Sequence, residues 1–366
     1  MGGSLKYLFL SGHDKSITGG NKRFERLASY GIKNKDCFWV TIERDDLPVN
    51  TGRLVYLSKP NVPTYSLRLL YACIRDRKKI KALSAFDKLV VFGETPLLAA
   101  IFLAWYLNLE LSIGVRSNVP KRHLVELHGK AGLSRLKAKL RYMLNDAVIR
   151  FAFRRSIKII VQSPAARSEL CDYYSLPLEK VSFIPNDLPT VPPEIRRELY
   201  RRKLKEKPFN ILFVGNASRI KGFDNLIEML HMLNGSGHKC YFKIVGVSKS
   251  EVPIFNNVEI IPRSDNIFQL MLDSDLLVVP SREDQFPNVV LEAMAIGLPV
   301  IGSDVDGIAY MINDKRFLFE PGASRAFYEV FISLQDKQNY LDLIFHIRER
   351  RCFFKFDWEE KYFSIC

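Results

Sequence analysis

The chain has 366 residues, which excludes a single core of ordinary size and suits two domains. Hydrophobic residues make up 47% and charged residues 26%, an ordinary globular composition without a low-complexity segment. The net charge of +14 points to a polyanionic partner: nucleic acid, an anionic membrane surface or a phosphorylated substrate.

Six scattered cysteines and six scattered histidines form no C-x-x-C pair and no cluster at zinc spacing, so no metal site is expected and the thiols read as reduced and cytosolic. The first residues lack the charged start, long apolar run and cleavage site of a signal peptide. The longest apolar stretch, 96–109, falls short of the roughly 20 residues that span a bilayer. Any membrane contact is therefore expected to be peripheral.

In chain order, 7–11 reads as a strand, followed by a glycine-containing loop and a helix over about 22–30. Strands are expected at 37–42 and 88–92, a helix at 97–107, a strand at 111–115, a strand at 157–162, a helix at 165–173 and a strand at 181–184. This alternation argues for a parallel sheet covered on both faces. Pro189, Pro192 and Pro193 then lead into 194–207, with seven Lys/Arg and three Glu, read as a solvated, partly helical linker. The alternation restarts with strands at 210–214, 240–245, 258–261, 276–279 and 300–303 and helices at 223–233, 267–272 and 290–295. The expected fold class is thus α/β, with two Rossmann-like doubly wound domains at 1–189 and 208–345 joined by a linker at 190–207. In such folds ligands bind beyond the carboxyl ends of the strands, here in the cleft between the domains.

The most informative string is 278–307, V-V-P-S-R-E-D-Q-F-P-N-V-V-L-E-A-M-A-I-G-L-P-V-I-G-S-D-V-D-G. A strand ends at Pro280 and Ser281, an acidic loop follows with Glu283 and Asp284, and Phe286-Pro287-Asn288 turns the chain into a helix starting near Asn288 or Val289. Free N–H groups at that start suit phosphate oxygens. Asp284 and Glu292 can face one ligand and accept from sugar and ribose hydroxyls. Taken singly, each acid is as well explained by a capped helix with solvated carboxylates.

A second string, F-V-G-N-A-S-R-I-K-G-F-D over 213–224, takes a strand through Gly215 and Asn216 into a cationic loop. Arg219 and Lys221 there can oppose charge growing on a departing diphosphate. The alternative is a surface loop with two solvated cations. A third feature, Gly19-Gly20, permits close backbone approach to a ligand, although a simple turn also accounts for it.

The string over 278–307 resembles the E-x7-E donor-binding signature of the retaining glycosyltransferases of family 4, written here Asp284-x7-Glu292. The resemblance covers roughly 5–362 and is most specific over 210–307. It implies a GT-B architecture, with a C-terminal segment, 346–366, that starts its last helix near Trp358 and returns to the N-terminal domain. It implies that Asp284, or Glu283 beside it, contacts the transferred sugar, that Glu292 binds the ribose, and that the segment Phe286, Pro287, Asn288 and Val289 between them helps hold the donor, through the backbone N–H groups of its residues other than proline. The string over 213–224 is similar to the family's G-R-x4-K-G stretch: Lys221 matches, Asn216 stands at the arginine position, and Arg219 is the substitute cation. Gly19 and Gly20 resemble the glycine loop that meets the donor phosphates across the cleft.

The implied activity is transfer of a hexose-type sugar from a nucleoside diphosphate sugar to a hydroxyl of a glycan acceptor, with retention and without a cofactor or metal. Several members of the family act on lipid-linked glycans at the inner face of a bacterial membrane. The implied setting is therefore surface polysaccharide synthesis (lipopolysaccharide, O-antigen or capsule) in the cytoplasm or peripheral to the membrane. Arg116 and Asn118 stand on the acceptor side. The stretch 120–158 carries eleven Lys/Arg and two acids. Its Leu124, Leu127, Leu133, Leu136, Leu140, Met143, Leu144 and Ala147 recur at helical spacing, which suits an anionic membrane surface or, equally, a core-facing helix with a solvated basic face. Alternatives left open are a degenerate GT-B subunit that binds a nucleotide or partner, and a GT-B enzyme of another activity. Nucleic acid is not an expected partner, because no recognition motif accompanies the charge.

Overall fold

The computed structural model of the chain describes residues 5–11, 19–42, 53–62, 64–83, 85–116, 120, 123, 127, 131–199, 206–237 and 239–366. The chain opens with β1 (Lys6–Leu10), α1 (Gly19–Asn34), β2 (Asp36–Ile42), β3 (Leu54–Leu57), α2 (Tyr65–Arg75), α3 (Arg77–Lys81), β4 (Lys88–Phe92), α4 (Leu97–Leu107) and β5 (Glu110–Gly114). Next come α5 (Gly132–Arg155), β6 (Lys158–Val161), α6 (Pro164–Tyr174) and β7 (Val181–Phe183). These strands form one sheet in the order β3-β2-β1-β4-β5-β6-β7, and every pair is parallel.

Alternation along each strand decides which layer it meets, since successive side chains point to opposite faces. In β1, Leu8 and Leu10 join a core with α2, α4 and α5, whereas Tyr7 and Phe9 join a second core with α1. In β4, Leu89 and Val91 take the first face and Val90 and Phe92 the second. Both faces are apolar, so the sheet is covered twice, as parallel sheets require.

α7 (Pro193–Leu199) leads into the second unit. Its proline stands at the first helical position, where a missing N–H costs nothing. Val191 and Ile195 are buried in the C-terminal core, so this part of the expected linker is docked rather than solvated. The second unit contains β8 (Asn210–Val214), α8 (Phe223–Ser236), β9 (Tyr241–Val245), β10 (Val258–Ile261), α9 (Ile267–Leu272), β11 (Leu276–Val279), α10 (Asn288–Ile296) and β12 (Val300–Ser303). It continues through α11 (Asp306–Ile312), β13 (Leu318–Phe319), α12 (Ser324–Ser333) and α13 (Lys337–Arg350). The strand order is β10-β9-β8-β11-β12-β13, again parallel.

α13 and Phe354 belong to the C-terminal core. Four residues past Phe354, α14 (Trp358–Phe363) begins and lies in the N-terminal core against α1 and β1. Phe363 meets Tyr7 edge-on at 5.1 Å, and Tyr362 lies 5.3 Å from Phe92. The six cysteines are free thiols. No described helix is long and apolar enough to cross a membrane.

One boundary differs in a way that matters for the site. The loop expected to hold Gly19 and Gly20 is the first turn of α1. The first four N–H groups of a helix have no partner within it, so glycine is tolerated there better than in the interior.

Candidate functional site

The carboxyl ends of β8 and β11 deliver the two loops that carry the C-terminal side of the cleft. After β8 the chain passes Gly215 and Asn216 and makes one tight 3-10 turn over Arg219–Lys221, with Ser218 capping the Lys221 N–H. Gly222 then turns into α8 with φ +66°. A Cβ on Gly222 would sit 1.7 Å from the Pro280 carbonyl oxygen at the end of β11. The two loops are in direct backbone contact, and the Arg282 N–H donates to the Ile220 carbonyl at 2.8 Å. The Arg282 guanidinium completes the join, donating to the Arg219 carbonyl at 3.0 Å and to the Asn225 amide oxygen, and pairing with Asp224.

This join points Lys221 at the acidic loop. Its Nζ lies 2.5 Å from Asp284 Oδ2. The Asp284 carboxylate raises the pKa of the Lys221 ammonium against the opposing effect of burial, and the buried Glu283 adds to the rise. The acidic loop is fixed from behind, since a Cβ on Gly307 would fall 1.6 Å from the Gln285 carbonyl oxygen. Beyond it α10 starts at Asn288 without a side-chain cap.

The N-terminal side is α1. Arg23 is buried and 2.5 Å from Asp187 Oδ1. Arg26 donates to the same carboxylate at 2.8 Å and pairs with Glu359. Trp358 underlies both guanidinium groups, 5.1 and 5.6 Å from its ring centre. At the seam, Asn186 Nδ2 donates to Asn288 Oδ1 at 3.4 Å and Gln162 Nε2 to Asn186 Oδ1 at 2.8 Å.

Between these walls lies a cavity of about 630 Å³. Of the residues expected at the site, Gly215, Asn216, Lys221, Asn288 and Glu292 line it. Lys22, Arg23, Arg26 and Arg263 line it as well, so five cations face two acids, Asp265 and Glu292. An anion of several charges suits that wall. Among the described residues no group of His, Cys, Asp and Glu is placed to hold a metal ion.

Several expected residues stand elsewhere. Arg219 does not line the cavity: its guanidinium pairs with Asp224 at 3.3 Å and is half exposed. A 3-10 turn advances about 120° per residue, so Arg219 and Lys221 leave it in different directions. The Phe286 ring is core, packed on Phe354 at 5.8 Å and Tyr310 at 6.3 Å. Pro287 is buried and Val289 packs on the same core. Glu283 and Asp284 sit behind Lys221 rather than in the cavity wall. Gly19 and Gly20 lie in the helical turn before Lys22. Arg116 lies in a narrow crevice with Gln162, Asn186, Trp358 and Tyr362, over the Phe92 ring at 5.7 Å. Burial pulls its pKa down to about 10, with Arg23 acting in the same direction. Asn118 lies outside the described residues.

Glu292, on the second turn of α10, has its carboxyl pKa raised by burial, which Lys22 and Arg23 across the cleft only partly offset. Such a group keeps a proton that the unfolded chain releases. Folding stability therefore falls as pH climbs from the ordinary value of 4.5 through the raised one. Glu292→Gln removes that slope. In thermal melts its Tm should exceed that of the parent at neutral pH, and the gap should close below about pH 4.5. A gap of the same size at every pH would assign the change to packing instead.

Residues 196–344 match the family model described as Glycosyl transferases group 1. Over 206 residues the chain is 28% identical to the lipopolysaccharide glucosyltransferase WaaG of Escherichia coli K12, covering 51% of this chain and 54% of WaaG. The chain thus spans about half the length of the curated relatives it matches. The crystal structure of WaaG, a glycosyltransferase involved in lipopolysaccharide biosynthesis, superposes with a TM-score of 0.73 at 20% identity over 98% of this chain and 99% of that one. Sucrose-phosphate synthase from Thermosynechococcus elongatus gives 0.76 at 17% identity, over 98% and 97%. HepE from Anabaena, solved with UDP and glucose, gives 0.69 at 16% identity, over 98% of each chain. The fold is therefore of GT-B type, and the match to the glycosyltransferase group 1 model falls in the C-terminal unit.

Proposed function

We propose that the protein is a retaining glycosyltransferase of family 4 that moves a hexose from a nucleoside diphosphate sugar to a hydroxyl of a glycan acceptor. The observation that carries this reading is the cationic cavity at the domain seam, whose volume lies within the roughly 300–1,000 Å³ of small-molecule sites. The diphosphate lies against Lys221 and the open N–H groups of α10, facing the α1 cations across the cleft. As the glycosidic bond breaks, charge grows on the leaving oxygen, and these fixed groups are already oriented toward it. Glu292 accepts from the ribose. Asp284 or Glu283 accepts from the sugar once donor phosphate takes over Lys221. The cavity's own cations supply the charge stabilisation, so the reaction needs no metal.

The acceptor is a lipid-linked glycan of a bacterial surface polysaccharide, met at the cytoplasmic face of the membrane, with Arg116 on its side of the cleft. The name of WaaG, a lipopolysaccharide glucosyltransferase, supports a surface-polysaccharide setting, and that of HepE, solved with UDP and glucose, supports a nucleoside diphosphate sugar as donor.

A thermal-shift series of the purified chain against nucleoside diphosphates and their sugar conjugates tests the donor reading. A ligand that binds only the native state should raise stability by about 2.7 kcal/mol at a hundredfold excess over Kd. A shift with no glycoside formed from any acceptor would identify a binding subunit, and no shift with any nucleotide would refute the donor site.

A further inference from the structure

Arg116 stands just past the carboxyl end of β5, in the crevice it shares with Gln162, Asn186 and Trp358. One hydrogen-bonded chain joins this crevice to the larger cavity: Gln162 donates to Asn186, and Asn186 donates to Asn288, which lines the cavity. The other charges nearby are matched. Arg23 and Arg26 share Asp187 and Glu359, and Lys221 holds Asp284. Arg116 alone of this set forms no hydrogen bond or ion pair among the described residues. Glu94, across a second crevice that Arg116 also borders, does not pair with it. A partly buried cation without a counter-charge costs stability unless a ligand supplies one.

A second orphan lines the same crevice. The Trp358 side chain is 3% exposed, and its indole N–H has no partner among the described residues. Guanidinium and indole are donors only, so whatever satisfies them must accept, and an ionised oxygen accepts most strongly. The space left is about 10 Å³, room for one oxygen atom rather than for a sugar ring. Arg23 and Asp284 both lie close enough to act on the Arg116 charge. The crevice therefore adjoins the end of the cavity at which Asp284 would meet the transferred sugar.

We propose that Arg116 and the Trp358 N–H form an anion subsite, which takes one oxygen of a carboxylate or phosphate carried by a sugar substrate. The proposal rests on the transferase reading and narrows it: one of the two sugars is acidic. A hexuronate on the nucleoside diphosphate and a uronate or phosphorylated acceptor present the same oxygen.

The test is isothermal titration of the full chain with matched neutral and acidic sugars. In the donor arm UDP-glucose is compared with UDP-glucuronate, and GDP-mannose with GDP-mannuronate. In the acceptor arm glucose is compared with glucuronate and with glucose 6-phosphate, on the chain loaded with UDP or GDP. In at least one arm the acid should bind about ten- to a hundredfold more tightly than its neutral partner, the strength of a hydrogen bond to a charged group. That arm names the source. Arg116→Gln should abolish the preference without weakening UDP or GDP alone and without lowering Tm, because the cation it removes is uncompensated. Arg116→Lys keeps the charge and loses the fork, so it should fold like the parent and show a reduced preference. Equal affinity for acidic and neutral sugars in both arms overturns the proposal, while nucleotide binding in the same titrations leaves the donor site standing. A preference that survives Arg116→Gln overturns it too, and assigns the anion to the α1 cations. If neither nucleotide binds, the donor reading fails and the subsite with it.

Discussion

Lys221→Ala is expected to lower kcat about a hundred- to a thousandfold, the usual cost of removing one preorganised group aimed at developing charge. Lys221 is the one described cation that both lines the cavity and is held by the acidic loop, 2.5 Å from Asp284. Arg219 cannot take over, because its guanidinium already pairs with Asp224 on the far side of the turn. The effect should fall on kcat more than on donor KM. On the proposed donor reading, the α1 cations still hold the ground-state diphosphate, while charge on the leaving oxygen grows only in the transition state. Tm should drop by no more than a few degrees: Lys221 is over a third exposed, so the lost pair is screened and worth about 1 kcal/mol. Initial rates and melts of the same preparation check both parts. A rise in KM with kcat intact would make Lys221 a ground-state contact only.

Gly222→Ala should damage stability and activity together. The native φ of +66° is unfavourable for alanine, at about 1–2 kcal/mol. The added methyl carbon would also have to share space with the Pro280 carbonyl, 1.7 Å away. Neither atom is the end of a flexible side chain, so relief requires the β8 loop to retreat from β11, at about 1–3 kcal/mol more. That retreat breaks the Arg282–Ile220 hydrogen bond and withdraws Lys221 from Asp284. A loss of about 2–5 kcal/mol in denaturant melts and near-complete loss of transfer are expected. Gly235→Ala is the control, since a Cβ there meets nothing. Equal melts for the two variants would show that the loops are not rigidly joined.

The fold was legible wherever a buried parallel strand or an apolar helix stands between clear breaks. Asn210–Val214, Leu276–Val279, Lys88–Phe92 and Leu97–Leu107 carry the boundaries that periodicity assigns them. β3 and α2 passed unread: a four-residue edge strand carries little pattern, and α2 follows it without a strong stop signal. The start of α1 was misread because glycines argue locally for a loop.

At the site, the sequence placed Gly215, Asn216, Lys221, Asn288 and Glu292 close to one another because strand ends deliver them. Lys22, Arg23, Arg26 and Arg263 were invisible to it, since only tertiary assembly brings α1 and the segment after β10 to the same cavity. The basic run that follows Gly19-Gly20 was the available signal for the α1 set. The direction of Arg219 and the inward turn of Phe286 are set by a 3-10 turn and by packing on Phe354, neither of which has a local spacing rule.

The last described helix has a consequence for synthesis. Trp358, Tyr362 and Phe363 complete the layer that covers Tyr7, Phe9 and Phe92. Partners in that layer lie from 266 positions apart (Phe92 and Trp358) to 356 (Tyr7 and Phe363). While the chain grows on a ribosome, the first sheet can cover its α2–α4–α5 face early, but its other face has α1 alone on it until these residues emerge. The N-terminal unit is thus made before the second unit but closes after it, with a half-covered aromatic surface exposed to chaperones and to aggregation throughout translation of the second unit.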